Sequence, residues 1–123
     1  MKLIRRFAAV AIVFALLGAV SAARADAYAA IAYSESTGQY GYTYGYDDLG
    51  AAENDAVANA NADDAQVVVW VENGWAALAV NNDGGWGYGW STNCQADAER
   101  FAIDGAGGPA CGAHILCWVA SGN

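Results

Sequence analysis

The sequence has 123 residues, enough for one ordinary domain and too few for separate cofactor and substrate lobes. Four of its five basic residues, Lys2, Arg5, Arg6 and Arg24, precede Asp26, and all 13 acidic residues lie from Asp26 onward. Residues 26–123 therefore set Arg100 alone against 13 carboxylates, and 1 − 13 gives a formal charge of −12, which excludes electrostatic binding to nucleic acid or to anionic lipid.

Lys2, Arg5 and Arg6 introduce a 14-residue apolar run from Phe7 to Val20, and Ala23-Arg24-Ala25 then places small residues at both recognition positions of an export cleavage site. Residues 1–25 are read as a cleaved secretory signal peptide and 26–123 as one secreted or periplasmic domain. An uncleaved anchor is disfavoured, because 14 residues at about 1.5 Å each fall short of the roughly 30 Å hydrocarbon layer. No cysteine follows the cut to carry a lipid, Arg5-Arg6 lacks the context of a twin-arginine signal, and no later stretch reaches 18 apolar residues. The expectation is a chain with no membrane contact after cleavage.

Beyond the cut the chain repeats itself at a spacing of roughly 46 residues, in copies over about 28–74 and 75–123. Tyr28-Ala29-Ala30-Ile31-Ala32 answers to Trp75-Ala76-Ala77-Leu78-Ala79, a short strand in each copy. Gly41 to Tyr46 is matched to Gly85 to Trp90, with the first connecting loop three residues longer, and each such block completes a hairpin across Ser36-Thr37-Gly38 or Asn82-Asp83-Gly84. A helix follows. Leu49, Ala52, Ala56 and Ala60 share one helical face in copy one, and Cys94, Ala98, Phe101 and Ala102 share one in copy two. Thr92 and Gln95 have capping-box spacing and predict a helix start near Asn93. Val67 to Val71 and Ile115 to Val119 are continuous apolar runs, expected as strands covered on both faces. Asn73-Gly74 favours a two-residue hairpin turn into the second copy.

The predicted fold class is α+β: a duplicated strand-strand-helix-strand unit with six mainly antiparallel strands and two helices. One continuous sheet carrying both helices on one face is the favoured assembly, with two small sheets packed face to face as the alternative.

On these blocks, Ala29 to Ser34, Gly41 to Tyr46, Ala51 to Ala56, Val67 to Val71 and their second-copy counterparts, the chain resembles the secreted bacterial domain of unknown function 4189 family across nearly all of its mature length. The resemblance implies a compartment and a fold, and it brings no established reaction, cofactor or catalytic set. Members of that family often carry a half-cystine near the end of each helix, which copy one lacks here.

Three cysteines, Cys94, Cys111 and Cys117, leave at least one thiol without an intramolecular partner. Along a strand from Ala113, Cys117 lies about 13 Å away, so bridging Cys111 to Cys117 requires the strand to break. Pairing Cys94 with Cys117 is preferred, by a strand returning beneath the second helix, and leaves Cys111 free.

Tyr40, Tyr42, Tyr44 and Tyr46 alternate with small residues, as do Trp86, Tyr88 and Trp90, and period two places each set on one strand face. These seven rings are the candidate binding residues. They either build the core beneath the helices or, if the glycine faces pack against the alanine-lined helices, point away and form a dimer interface or binding surface. Catalysis has thin support: His114 is the single histidine, and three-residue spacing in a strand sets it opposite Cys117. Asn59, Asn61 and Asp63 alternate as in a calcium loop, but Asp64 stands where glycine is needed and Trp70 where the closing carboxylate is needed. Asp47-Asp48 is read as a helix-start pair, and Glu53 and Glu99 as symmetry mates that do not converge.

The expectation is a non-enzymatic interaction module without cofactor or metal, meeting a basic protein or peptide through its aromatic strands. A glycan-binding module, a self-associating homodimer and, last, a small envelope enzyme are the alternatives.

Overall fold

The computed structural model describes residues 26–122. Its elements are β1 (Tyr28–Tyr33), β2 (Tyr40–Tyr46), α1 (Leu49–Ala60), β3 (Gln66–Glu72), β4 (Trp75–Val80), β5 (Trp86–Ser91), α2 (Gln95–Gly105), a 3₁₀ turn (Pro109–Cys111) and β6 (His114–Ala120). The repeated strand-strand-helix-strand pattern is therefore present. The signal-peptide reading falls on residues 1–25, which lie outside the described residues.

The strands do not form one sheet. They make two antiparallel three-stranded sheets, β2-β1-β3 and β5-β4-β6. The middle strands YAAIAY and WAALAV bury both faces, so each needs two cover layers. One face supplies the core between the sheets, where Ala29, Ile31, Tyr33, Val69 and Val71 meet Ala76, Leu78 and Val119. The other supplies a helix contact: Ala30 and Ala32 meet Ala52, Ala56 and Ala60 of α1, and Ala77 and Ala79 meet Ala98 and Ala102 of α2. The order of layers is helix, sheet, sheet, helix. The alternative assembly, two sheets face to face, is the correct one, and the helices lie on opposite outer faces.

The link between β3 and β4 explains the separation. A two-residue hairpin of the favoured type needs positive φ at both central positions. Asn73 has φ 55°, whereas Gly74 is not in the left-handed region. The chain crosses from one sheet to the other instead of folding back. Equivalent hydrogen bonds tie off both units: the Gly74 N–H donates to Ser121 Oγ and Ser121 N–H to the Gly74 carbonyl, while Ala27 N–H donates to Asn73 Oδ1 and Asn73 N–H to the Ala27 carbonyl.

The helices lie close on their sheets because small residues face small residues. A methyl group added at Gly41 would overlap the backbone of Ala56 and Ala60, and one at Gly87 the backbone of Ala102 and Ala106. These contacts reveal the true match between the copies. Gly41 corresponds to Gly87 and Thr43 to Gly89, a constant shift of 46, so the first loop is one residue longer than the second rather than three.

Helix starts differ between the units. Asp48 caps α1, accepting from Ala51 N–H at 2.9 Å. The predicted capping box at Thr92 is absent: Cys94 is the cap residue of α2, without a side-chain bond, and Ser91 Oγ accepts the Asn93 and Cys94 N–H groups. Phe101, expected on the buried stripe, is exposed, with the Arg100 guanidinium 5.0 Å from its ring centre.

Candidate functional site

The orientation of the aromatic strands follows from the glycine contacts. Because Gly41, Thr43, Gly87 and Gly89 face the helices, the intervening rings face the opposite way, toward the space between the sheets. Strands β2 and β5 are edge strands, however, and the opposite sheet does not reach far enough to cover them. Tyr40, Tyr42, Tyr44, Tyr88 and Trp90 consequently remain exposed, Tyr44 by 61 % and Trp90 by 54 %.

Two of the seven candidate rings are placed elsewhere. Gly45 has φ +73° at a bulge where the register of β1 and β2 shifts, and this turns Tyr46 to the helix side. Its hydroxyl donates to Asp55 Oδ2 at 2.6 Å, and that hydrogen bond, followed by burial, pushes the phenol pKa upward. Trp86 is half-buried with its ring 5.8 Å from that of Tyr33 and closes one end of the inter-sheet core.

The exposed rings do not share one surface. Strand β2 lies over β6, and β3 over β5, so the two ladders flank two separate grooves. One, of about 540 Å³, is lined by Tyr40, Tyr42 and Tyr44 and by Leu116 to Ala120 of β6. The other, of about 460 Å³, is lined by Tyr88, Trp90 and Thr92 and by Val68 to Glu72 of β3. With the shift of 46, Tyr42 answers to Tyr88 and Tyr44 to Trp90, so the grooves are counterparts produced by the repeat.

Two further rings escaped the sequence reading. Trp70 and Trp118 are each 45 % exposed, and because they pair with Ala30 and Ala77 their rings lie on the helix-side faces of β3 and β6, not among the rings that face the inter-sheet grooves. The Trp70 ring is 6.3 Å from that of Tyr28. Their runs were expected to be covered on both faces. The helices instead lie over the first two strands of each unit, leaving the outer faces of β3 and β6 open. The usable signal was the shared position of the two tryptophans, one within each apolar run.

Thiol geometry overturns the predicted disulfide. Cys117 pairs with Leu78 and packs on the core between the sheets, whereas Cys94 stands exposed at the start of α2, in the outer layer. The sheet separates them, and all three thiols are free. Burial pushes the Cys117 thiol up to about 12. Bulges at Val68 and Leu116, where each outer strand skips a partner on the central strand, also reset side-chain parity. His114 and Cys117 thus fall on the same side of β6, contrary to the spacing argument, yet His114 is exposed, its Nδ1 is 2.9 Å from the Gly112 carbonyl, and it does not line the groove that Cys117 lines.

Charged groups divide into two kinds of environment. Asp64 accepts from Ser34 Oγ at 2.5 Å, and this bond, with one from Ser36, holds its carboxyl below the usual range. Glu72 behaves oppositely. A hydrogen bond shared with Asp26, then burial and the Asp26 charge, raise its pKa, while the Tyr28 hydroxyl works against the shift. Around the calcium-like spacing, Asn59 donates its amide to the Tyr42 carbonyl at 3.1 Å and Asn61 is the left-handed cap of α1. Among the described residues, no three His, Cys, Asp or Glu side chains converge to hold a metal, and no helix is long and apolar enough to cross a membrane.

No curated protein and no solved structure matches the chain. A family model described as a domain of unknown function, DUF4189, matches residues 28–117, from the first residue of β1 into β6, and the chain belongs to that family.

Proposed function

We propose that this chain is an exported, non-enzymatic interaction module that holds an extended protein or peptide segment against its aromatic edge strands. The observation that carries the reading is the outward turn of Tyr40, Tyr42, Tyr44, Tyr88 and Trp90, away from the helices and beside open inter-sheet grooves. Aromatic surface left exposed in this amount marks an interaction site. An edge strand also offers unpaired backbone groups to an added strand, and alternate ring pockets select side chains. The acidic balance of residues 26–122 favours a basic partner. The charged and apolar pattern of residues 1–25 supports action outside the cytoplasm.

A second reading has one specific support. The Tyr42 and Tyr44 rings lie 6.5 Å apart with planes only 22° from parallel, a flat pair suited to stacking on sugar CH faces. Defined peptide panels and soluble glycan panels should be compared on the wild-type protein and a Tyr42→Ala, Trp90→Ala variant, at low and high salt. The peptide reading expects basic peptides to bind, to weaken as salt rises, and to be lost in the variant. Glycan binding that persists in high salt favours the second reading. Equal binding by the variant and the wild type removes both.

A further inference from the structure

Strand pairing sorts the side chains of β3 by face. Tyr28 stands opposite Glu72 and Ala30 opposite Trp70, with no shift of register between them, so Glu72 and Trp70 share the face on which Ala30 meets α1. The Tyr28 side chain hydrogen-bonds Glu72, and its ring lies 6.3 Å from that of Trp70. One carboxylate and two rings therefore converge on this outer face. Val69 and Val71 point the other way, into the core between the sheets.

Among the described residues β3 pairs only with β1, so its far edge is open. Five consecutive residues, Val68 to Glu72, line the β3/β5 groove, which means that the groove runs along this edge rather than along one face. A strand added at the edge alternates its side chains. One set lies beside Glu72 and Trp70, with Cβ atoms about 5 Å from theirs, and the other turns toward Tyr88 and Trp90 of β5.

Charge decides what the first set carries. Glu72 also hydrogen-bonds Asp26, whose charge opposes its ionisation, and Asp48 adds to the negative field at Tyr28. Arg100, the one Lys or Arg of the described residues, is held by Asp97 on α2 at 3.1 Å. A cation opposite Glu72 relieves the like-charge repulsion and meets the exposed Trp70 indole beside it. A second copy of the chain is a poor occupant, because it brings a formal −12 and that one paired arginine. The other unit supplies a control: Trp75 and Trp118 keep the two ring positions on the outer face, but Ala120 stands where Glu72 does.

We propose that the free edge of β3 takes an added strand in which lysine or arginine alternates with uncharged residues, the cations lying on the outer face against Glu72 and Trp70 and the uncharged side chains facing Tyr88 and Trp90. The β6 edge takes segments without this preference. The proposal rests on the reading of the chain as a binder of extended basic segments and names the edge and the pattern that such a segment needs.

The test uses three blocked eight-residue peptides in which threonine alternates with arginine, glutamine or glutamate, titrated into the full domain at physiological ionic strength and followed by NMR indole shifts and amide exchange. The arginine peptide is expected to move the Trp70 indole, to slow exchange of alternate β3 amides, and to bind about fivefold more tightly than the glutamine peptide, a preference that fades at about 1 M salt. Glu72→Gln should remove most of that preference while leaving glutamine-peptide binding unchanged. Ala120→Glu should create the same preference at Trp118. An arginine preference undiminished by Glu72→Gln, or a Trp118 indole in the wild type that moves as far as that of Trp70, overturns the inference but leaves the broader reading standing. If no peptide shifts a ring on either edge, both fall.

Discussion

Gly89→Ala tests the close helix-sheet contact that aims the rings outward. The added methyl would sit on the Ala98 carbonyl oxygen, 2.6 Å from the Ala102 nitrogen and 2.7 Å from the Phe101 Cβ. Ordinary contact between such atoms needs about 3.5 Å, so α2 must lift by about 1 Å. Two of these atoms are main chain and the third is a Cβ, so no side-chain rotation relieves the overlap. Lifting also loosens Ala98 and Ala102 from Ala77 and Ala79, which have no longer side chains to fill the gap. Overpacking a core usually costs about 1–3 kcal/mol, and a fixed backbone neighbour places this case near about 3 kcal/mol. In a domain of this size that lowers Tm by about 12–24 °C. Gly50→Ala is the control, since its added methyl would meet only Asp48 Oδ2 at 3.6 Å and the change should stabilise α1 by about 0.5 kcal/mol. Thermal and urea unfolding followed by circular dichroism measure both. A Gly89→Ala protein within about 0.5 kcal/mol of wild type would refute the packing argument, and with it the reason the rings face away from the helices.

Asp48→Ala should cost about 1 kcal/mol of stability by urea unfolding, because it leaves the Ala51 N–H without its partner; Cys94→Asp should add up to about 1 kcal/mol by supplying the cap that α2 lacks. Iodoacetamide at pH 8, read by peptide mass mapping, should label exposed Cys94 and Cys111 well before Cys117, whose thiolate is suppressed by burial. Asp64 stabilises the fold above its unfolded pKa, and that contribution is lost as pH falls through its depressed folded value. Ser34→Ala should return the Asp64 titration, followed by NMR, toward 3.8 and reduce the acid-side loss of stability.

The duplication and its eight regular elements were legible because apolar runs, turn residues and alanine spacing carry local information. What escaped was any feature that leaves a period of two intact. Sliding Gly41 against Gly85 or against Gly87 keeps every ring and glycine in phase, so only contact with α1 and α2 chooses the match. Bulges at Gly45, Val68 and Leu116 reverse parity without changing composition, which is why Tyr46 moved to the helix side and His114 changed faces. The disulfide failed for a related reason. A strand was expected to bring Cys117 beneath α2, but Cys117 shares the face of Val119, one layer further in. The outward rings followed from one legible fact, that alanine-lined helices pack best on glycine.

The open edges raise the question of why copies of the chain should stay apart. Strands β2, β5 and β6 carry no lysine, acid or proline, the residues that usually protect an edge from strand addition. Protection must come from the whole molecule, and the formal −12 supplies it as repulsion that acts before backbone groups can meet. That force is screenable, since the Debye length falls from about 8 Å at physiological ionic strength to about 3 Å at 1 M. Sedimentation velocity should therefore find residues 26–123 monomeric at low salt and increasingly dimeric as salt rises, with Tyr44→Lys on the β2 edge reducing the association. A dimer already complete at low salt would show that charge is not the barrier, and it would make the ring-lined edges a self-interface rather than a surface held open for a basic partner.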